Sequence, residues 1–275
     1  MSGKRTARSA FAFMLKLFIG LIIISPILFG FSFSFMSSSE RAEVPPRFLP
    51  REPVTYTYQR ALNQVPIIRF MANSLLVCAI IIVGQVITCS FAAYAFSFYR
   101  FRGSKLIFMV VLATMMIPVD AIIIANYLTI SQFRLNDSYM GLVAPYLTSA
   151  MGIFLMRQFF LTIPKELHEA AIIDGCRDLR FLFKIVLPIS QPAIASLGVY
   201  IFIQTYNQFL WPLLVTNSNR MRTVQIGMSI LKEAEAVDYG IVLAGAVLIL
   251  IPSVLVFVIG QKYLVKGMTA GAVKG

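Results

Sequence analysis

Residues 162–191 read TIPKELHEAAIIDGCRDLRFLFKIVLPISQ. Long apolar runs dominate the chain on either side, and this stretch alone joins dense charge to helical patterning. Between Arg157 and Lys184 lie five basic residues, four acidic ones and the sole histidine. The pattern predicts two short helices. The first starts near Pro164, which suits a first helical position because it has no N–H to satisfy. Glu166 and Glu169 fall in its early turns, where carboxylates favour the positive end of the helix dipole. Gly175 can take the left-handed conformation that stops a helix, and Asp178 reads as the N-cap of the second helix. Leu179, Leu182, Phe183 and Val186 recur at i, i+3, i+4, i+7 as an apolar face, and Pro188 ends the helix. Between membrane spans, a helix–Gly–helix serves either as a rigid cytosolic lever or as amphipathic helices resting on lipid headgroups; the pattern leaves both open.

Outward from this stretch, the composition is that of a polytopic membrane protein. Of 275 residues 58% are hydrophobic and only 13% charged, too apolar for a soluble domain. A bilayer takes about 20 apolar residues as a helix. Such runs occur at Leu17–Ser39, Phe70–Tyr99, Ser138–Met156, Ile185–Asn219 and Tyr239–Gln261, and Leu106–Ser131 is interrupted only by Asp120. Six spans are expected, the fifth beginning near Pro192. Met1–Lys16 carries Lys4, Arg5, Arg8 and Lys16 like a signal n-region. The apolar run behind it exceeds an h-region of about 7–15 residues and no Ala-x-Ala site follows, so a retained anchor is expected.

The net charge of +12 invites a nucleic-acid reading, but its distribution argues for membrane topology instead. With the N-terminus inside, cytosolic segments hold 15 of the 24 lysines and arginines: those of the N-terminus, Arg100, Arg102, Lys105, the five between Arg157 and Lys184, and Lys262, Lys266 and Lys274. Only Glu166, Glu169, Asp174 and Asp178 oppose them, and the outer loops are nearly balanced. The positive-inside rule then puts both termini and the 157–191 segment in the cytosol. The outer loop at about 40–69 is rich in proline, which favours extended, turn-rich structure; a second outer loop covers about 216–238. The chain reads as one transmembrane domain over residues 1–275.

Chemistry of other kinds finds little support. Cys78, Cys89 and Cys176 show neither a disulfide framework nor metal-ligand spacing, and no Gly-x4-Gly-Lys-Ser/Thr loop is present for ATP hydrolysis. His168-Glu169 lacks the second histidine of a zinc protease. Asp174-Gly175 and Asp178 faintly resemble the aspartate cluster of CDP-alcohol phosphotransferases, so a metal-dependent membrane enzyme is one alternative class, without the further aspartates it needs. No catalytic or metal residue is expected.

Two places inside the apolar runs are candidates for a solute pathway. A carboxylate near the bilayer centre costs about 2.5–3.5 kcal/mol, so Asp120 is not expected to face lipid. Roughly 21 Å into its span from Leu106, it is either a pathway wall, half of a structural pair, or in the outer headgroup zone. Pro118 is expected to kink the helix there. In Tyr206-Asn207-Gln208-Phe209-Leu210-Trp211-Pro212, Asn207 and Gln208 can bond sugar hydroxyls and Tyr206 and Trp211 can stack on a sugar face; helix–helix bonding by the amides and an interfacial place for Trp211 are the alternatives.

Glu169-Ala170-Ala171, three residues, Gly175, nine residues, Ile185, one residue and Leu187-Pro188 resemble the EAA signature of bacterial ABC importer permeases, with every defined position filled. The resemblance implies that these residues and Asp174 form a coupling helix docked in a groove of a separate cytosolic ATPase subunit. Residues 206–213 are similar to the Trp-Asn-x-Phe-x-x-Pro-Leu run of carbohydrate-type permeases, with Tyr206 in place of Trp and Gln208 in place of Glu. Pro118-Val119-Asp120, Asp137-Ser138-Tyr139 and Met156–Phe160 look closest to glycerol-3-phosphate permeases. The resemblance implies an all-α membrane domain of six helices with the EAA loop in the cytosol, moving a sugar, oligosaccharide or polyol, phosphorylated or not. Its implied partners are a second homologous permease, two ATPase subunits holding ATP and magnesium, and an extracytoplasmic binding protein that Arg220 and Arg222 in the last outer loop would touch. The chain itself would hold no cofactor. An assembly subunit that makes no solute contact is the remaining alternative.

Overall fold

The computed structural model describes the backbone of residues 2–234 and 238–269 and the side chains of 11–234 and 238–263. Lys4, Arg5, Arg8, Glu235, Lys266 and Lys274, all used in the topology argument, lie outside the described side chains. Regular structure among the described residues is helical throughout.

Three helices are continuous and apolar enough to cross a bilayer: Phe11–Ser34, Ile67–Phe98 and Tyr239–Tyr263. Three more spans are broken. Ser104–Met116 and Val119–Gln132 meet at 92°, Tyr139–Tyr146 and Ala150–Phe160 at 51°, and Asp178–Ile189 and Gln191–Tyr206 at 77°. Counting each pair once gives the six helices of the expected fold. Each break has a local cause. Pro118 sits with φ −58° and ψ 136°, outside the helical region. Ser149 is extended and its hydroxyl accepts the Gly152 N–H at 3.0 Å, capping a new helix. Ser190 lies between Pro188 and Pro192, each lacking an N–H.

Packing divides the chain into two units, residues 1–67 with 227–251, and residues 68–226 with 252–275. In the first unit, no side chain in the most apolar stretch of Phe11–Ser34 is buried, which leaves that surface for lipid. The segment after it differs from the extended loop expected at about 40–69. Ser38–Arg41 is a helical turn closed by a Ser37–Glu40 capping box, and Tyr56–Gln64 is a helix between Pro53 and Pro66. The prolines cluster at 45–53 and leave 56–64 free to coil. Glu40 accepts the Ser37 and Arg51 N–H groups at 3.0 and 2.7 Å, and these bonds hold its carboxyl below the usual range. Arg41, buried, pairs with Asp238 at 2.5 Å and bonds the Tyr56 hydroxyl at 3.1 Å.

The second unit holds a continuous apolar core. Val77, Ile81, Cys89 and Ala93 of Ile67–Phe98 meet Leu142, Met156, Phe160, Leu197, Ile201 and Trp211. Ile163, Ala171, Phe181, Leu182 and Val186, all from the charged 157–191 segment, belong to the same core. In the last outer loop, Val224–Ala234 is a helix rather than a solvated link; Val224 and Ile226 are buried at its start in this unit, and Leu231 is buried in its continuation in the first unit.

Candidate functional site

The charged segment folds around its glycine. The first helix is Lys165–Ile173, with Pro164 immediately before it rather than at its first position, a shift within ordinary boundary variation. Gly175 has φ +71°. The Cys176 N–H bonds the Ala171 carbonyl at 2.8 Å and the Gly175 N–H bonds that of Ile172 at 3.0 Å. This pair of bonds is a Schellman closure, which needs a left-handed residue at the position of Gly175.

The second helix differs from the expectation in three respects. Asp178 is its first residue and not its cap, because Arg177 is the extended residue before it. The freed carboxylate instead accepts the Tyr99 hydroxyl at 2.6 Å and the Tyr94 hydroxyl at 3.4 Å, tying the segment to the end of Ile67–Phe98. Leu182–Val186 is π-helical, with the Leu187 N–H reaching back to the Leu182 carbonyl. The wider turn changes which residues share a face: Phe181, Leu182 and Val186 are buried, whereas Leu179 and Phe183 are 61% and 50% exposed. Pro188 does not end the helix, which runs through Ile189. A proline tolerates helical φ, and in the turn after a π segment its missing N–H falls where α bonding is already interrupted.

The segment is therefore packed into the core through one face. Ala171 is buried, Ile185 and Leu187 half-buried, and His168 sits 4.8 Å from the Phe181 ring and 5.2 Å from that of Phe98. Glu169, Ala170, Asp174, Gly175 and Pro188 are exposed. Beside them Ile172, Ile173 and Leu179 are 58%, 85% and 61% exposed. An apolar, carboxylate-rimmed face backed by a rigid core is what a docking element presents.

A second feature is a cavity of about 440 Å³ lined by Gln85, Tyr146, Ser149, Tyr200, Gln204, Thr205, Asn207 and Gln208, with Val119, Met151 and Ile201. None of these carries a charge; amides and hydroxyls supply the polarity. The Gln85 amide donates to the Tyr146 carbonyl at 2.8 Å and accepts from the Ser149 hydroxyl at 2.7 Å. Gln208 and Tyr146 line the same cavity. The Asn207 amide donates to the Ile203 carbonyl at 2.8 Å and accepts from Gln225 at 3.3 Å.

Asn207 and Gln208 are thus brought to one cavity, and two other candidates are not. Asp120 lies on the turn Val119–Ile122 at the 92° break, exposed, with only its neighbour Val119 lining the cavity. No lysine or arginine nitrogen lies within 4 Å of it among the described residues. Trp211 is 1% exposed and does not face the cavity. Its indole N–H donates to the Leu142 carbonyl at 3.2 Å and its ring meets Tyr146 edge-on at 6.0 Å, because a buried indole needs both an apolar seat and an acceptor.

Arg220 is exposed and Arg222 half-buried. Their turn is pinned from below: the Asn73 amide donates to both backbone carbonyls at 2.9 Å and accepts the Tyr139 hydroxyl at 2.8 Å. Asp137, at φ +54°, accepts the Asn217 and Ser218 N–H groups at 2.9 and 3.0 Å. Those bonds, chiefly to Ser218, hold its carboxyl below the usual range. Asn73 and Gln85 carry a signal in the sequence itself, two amides within a mostly apolar run that must find partners inside the bundle.

The family profile of the binding-protein-dependent transport system inner membrane component matches residues 85–270. This chain belongs to that family. It is accordingly a permease subunit of the cytoplasmic membrane, within a binding-protein-dependent ABC importer. The sn-glycerol-3-phosphate transport system permease protein UgpE of Rhizobium meliloti is 39% identical over 266 residues, 92% of this chain and 94% of that one. The arabinooligosaccharides transport system permease protein AraQ of Halalkalibacterium halodurans is 34% identical over 206 residues, 75% of this chain and 74% of that one. The permease also superimposes with a TM-score of 0.82 and 25% identity on a bacterial ABC transporter involved in import of the acidic polysaccharide alginate, covering 96% of this chain and 98% of that one. The metal-dependent enzyme alternative has no support from this membership.

Proposed function

We propose that this permease moves a sugar, oligosaccharide or polyol, phosphorylated or not, by ATP-driven alternating access. Its partners in this reading are a second homologous permease, two ATPase subunits carrying ATP and magnesium, and an extracytoplasmic solute-binding protein reached through Arg220 and Arg222. Glu169, Ala170, Ala171, Asp174, Gly175, Ile185, Leu187 and Pro188 form the ATPase-coupling site. The observation that carries the reading is the continuity of one core from Ala171, Phe181 and Val186 into the spans around the polar cavity: a push on the exposed Ile172–Leu179 face is delivered to the bundle through packed side chains. Rocking of such a bundle about a central site is how alternating access proceeds in membranes. Asn207 and Gln208 are the solute-facing residues here; the names of the relatives, a polyol phosphate and oligosaccharides, support the solute class.

The reading is tested by reconstituting the complex with its binding protein and finding which solute stimulates ATP hydrolysis. Gln208→Ala is expected to lower uptake of that solute about 10-fold, the effect of losing one or two hydrogen bonds to it at about 0.5–1.5 kcal/mol each. Unchanged uptake with Gln208→Ala would remove the cavity from the pathway.

Orientation is tested separately. Cysteines placed at Ser2 and Lys274 should resist a membrane-impermeant thiol reagent in intact cells; labelling of either would reverse the proposed cytosolic termini.

Tyr99 and Asp178 extend the coupling argument. Tyr99→Phe removes one hydrogen bond at an exposed carboxylate, so complex yield should be unchanged. Solute-stimulated hydrolysis should fall several-fold, and Asp178→Asn added to Tyr99→Phe should lower it little further, as for two partners in one interaction. Additive losses from the two changes would show that the pair does not act as a unit.

A further inference from the structure

A second cavity, of about 760 Å³, opens between the short link 99–105 and the helix Ala150–Phe160. Its walls carry Arg100, Arg102, Lys105 and Arg157 and no carboxylate. Among the described residues none of these four has an acidic oxygen within 4 Å. Basic residues in a connecting loop are expected from topology alone, but scattered charges satisfy that rule as well as gathered ones. Here Arg157 is brought in from a separate helix and held in place, its Nε donating to the Phe96 carbonyl at 3.3 Å and its guanidinium lying 4.2 Å over the Phe108 ring. Gly103, at φ +83°, turns the link so that Ser104 starts a ten-residue helix at the cavity wall.

The rest of the lining is apolar. Leu106 and Met109, three residues apart on one face of Ser104–Ala113, are 63% and 58% exposed. A cavity with four unpaired cations at one side and an exposed aliphatic face beside them matches an amphiphile with an anionic head. We propose that it binds the phosphate headgroup of an anionic phospholipid, with Leu106 and Met109 against the acyl chains. Basic pockets among helix ends are suited to such headgroups. A soluble phosphate would use the cations and leave the aliphatic face without a role. The proposal rests on the chain lying in a bilayer and on neither the solute nor the ATPase partners, so it stands or falls apart from the transport reading.

The test is native mass spectrometry of the purified complex in mixed micelles containing equal phosphatidylglycerol and phosphatidylcholine. Wild-type complex should retain phosphatidylglycerol in preference to phosphatidylcholine, and the Arg102→Gln/Lys105→Gln variant should bind it about 30-fold more weakly, two cations at roughly 1 kcal/mol each. Arg102→Gln alone should give a smaller loss in the same direction, should the double variant fail to assemble. Lys262→Gln, a basic residue outside the cavity, should change nothing. Equal retention by wild type and the Arg102→Gln variants, or no preference for phosphatidylglycerol, would overturn the proposal. Displacement of the bound lipid by millimolar inorganic phosphate would also overturn it, in favour of a site for the free anion.

Discussion

Gly175→Val should leave the permease inserted and assembled, yet reduce ATP hydrolysis in the presence of binding protein and solute to its unstimulated rate. Space is not the obstacle, since a Cβ at Gly175 meets no atom within 4 Å. The obstacle is φ +71°. An L-residue there costs roughly 1–2 kcal/mol, and a β-branched one is a worse fit still. Relief comes by rotating the backbone to negative φ, which breaks the Cys176-to-Ala171 and Gly175-to-Ile172 bonds and redirects the helix that begins at Asp178. Misplacement of about 1 Å by a change far from a reaction centre can cost about 100-fold in rate, and a redirected docking helix is misplaced by at least that much. Gly175→Asn separates conformation from composition: asparagine tolerates the left-handed region, and this variant should keep most of the stimulation. ATPase assays of the purified complex, with and without solute and binding protein, decide it. Full stimulation with Gly175→Val would reduce the segment to a connector.

Trp211→Ala should be the most damaging single change within the membrane. The side chain is 1% exposed, and Trp-to-Ala changes in a core cost about 3–5 kcal/mol. The Leu142 carbonyl also loses its indole donor. Complex yield and thermal stability in detergent should fall sharply. Trp211→Phe keeps most of the ring volume and loses one hydrogen bond worth about 1 kcal/mol, so it should assemble and transport. If Trp211→Ala instead assembled normally and failed only in uptake, Trp211 would return to the solute pathway as an aromatic platform.

The contrast between these two residues shows what the chain discloses in one dimension. Gly175 was legible because its role is local: a helix stop depends on backbone conformation and on residues within four positions of it. The six-helix plan was legible for a similar reason, since apolar length and basic flanks act span by span. Trp211 was not, because an amphipathic ring next to polar residues has the same sequence signature whether it stacks on a solute or fills a core. Its acceptor, the Leu142 carbonyl, is 69 residues away. Asp178 shows the same limit. Its type and position suit an N-cap, but the Tyr99 hydroxyl 79 residues away claims the carboxylate. The apolar face of the second helix departs from a period of 3.6 because its turn at Leu182–Val186 is π-helical. The cavity needed Gln85, Tyr146 and Gln208 to converge from three spans, and no pairwise spacing along the chain encodes that.

That π-helical turn also bears on how the chain tolerates changes in length. Bonding five residues back, Leu182–Val186 stores one residue more in its turn than α geometry would. Reclosing the turn would advance everything beyond it by about 1.5 Å along the axis and about 100° around it. One residue of slack therefore sits between the part of the segment that faces outward and the Gln191–Tyr206 helix. Deleting a residue there can be absorbed by tightening the turn. The same deletion in Lys165–Ile173, α-helical throughout, has no reserve to draw on and would swing Ala171 off its buried seat.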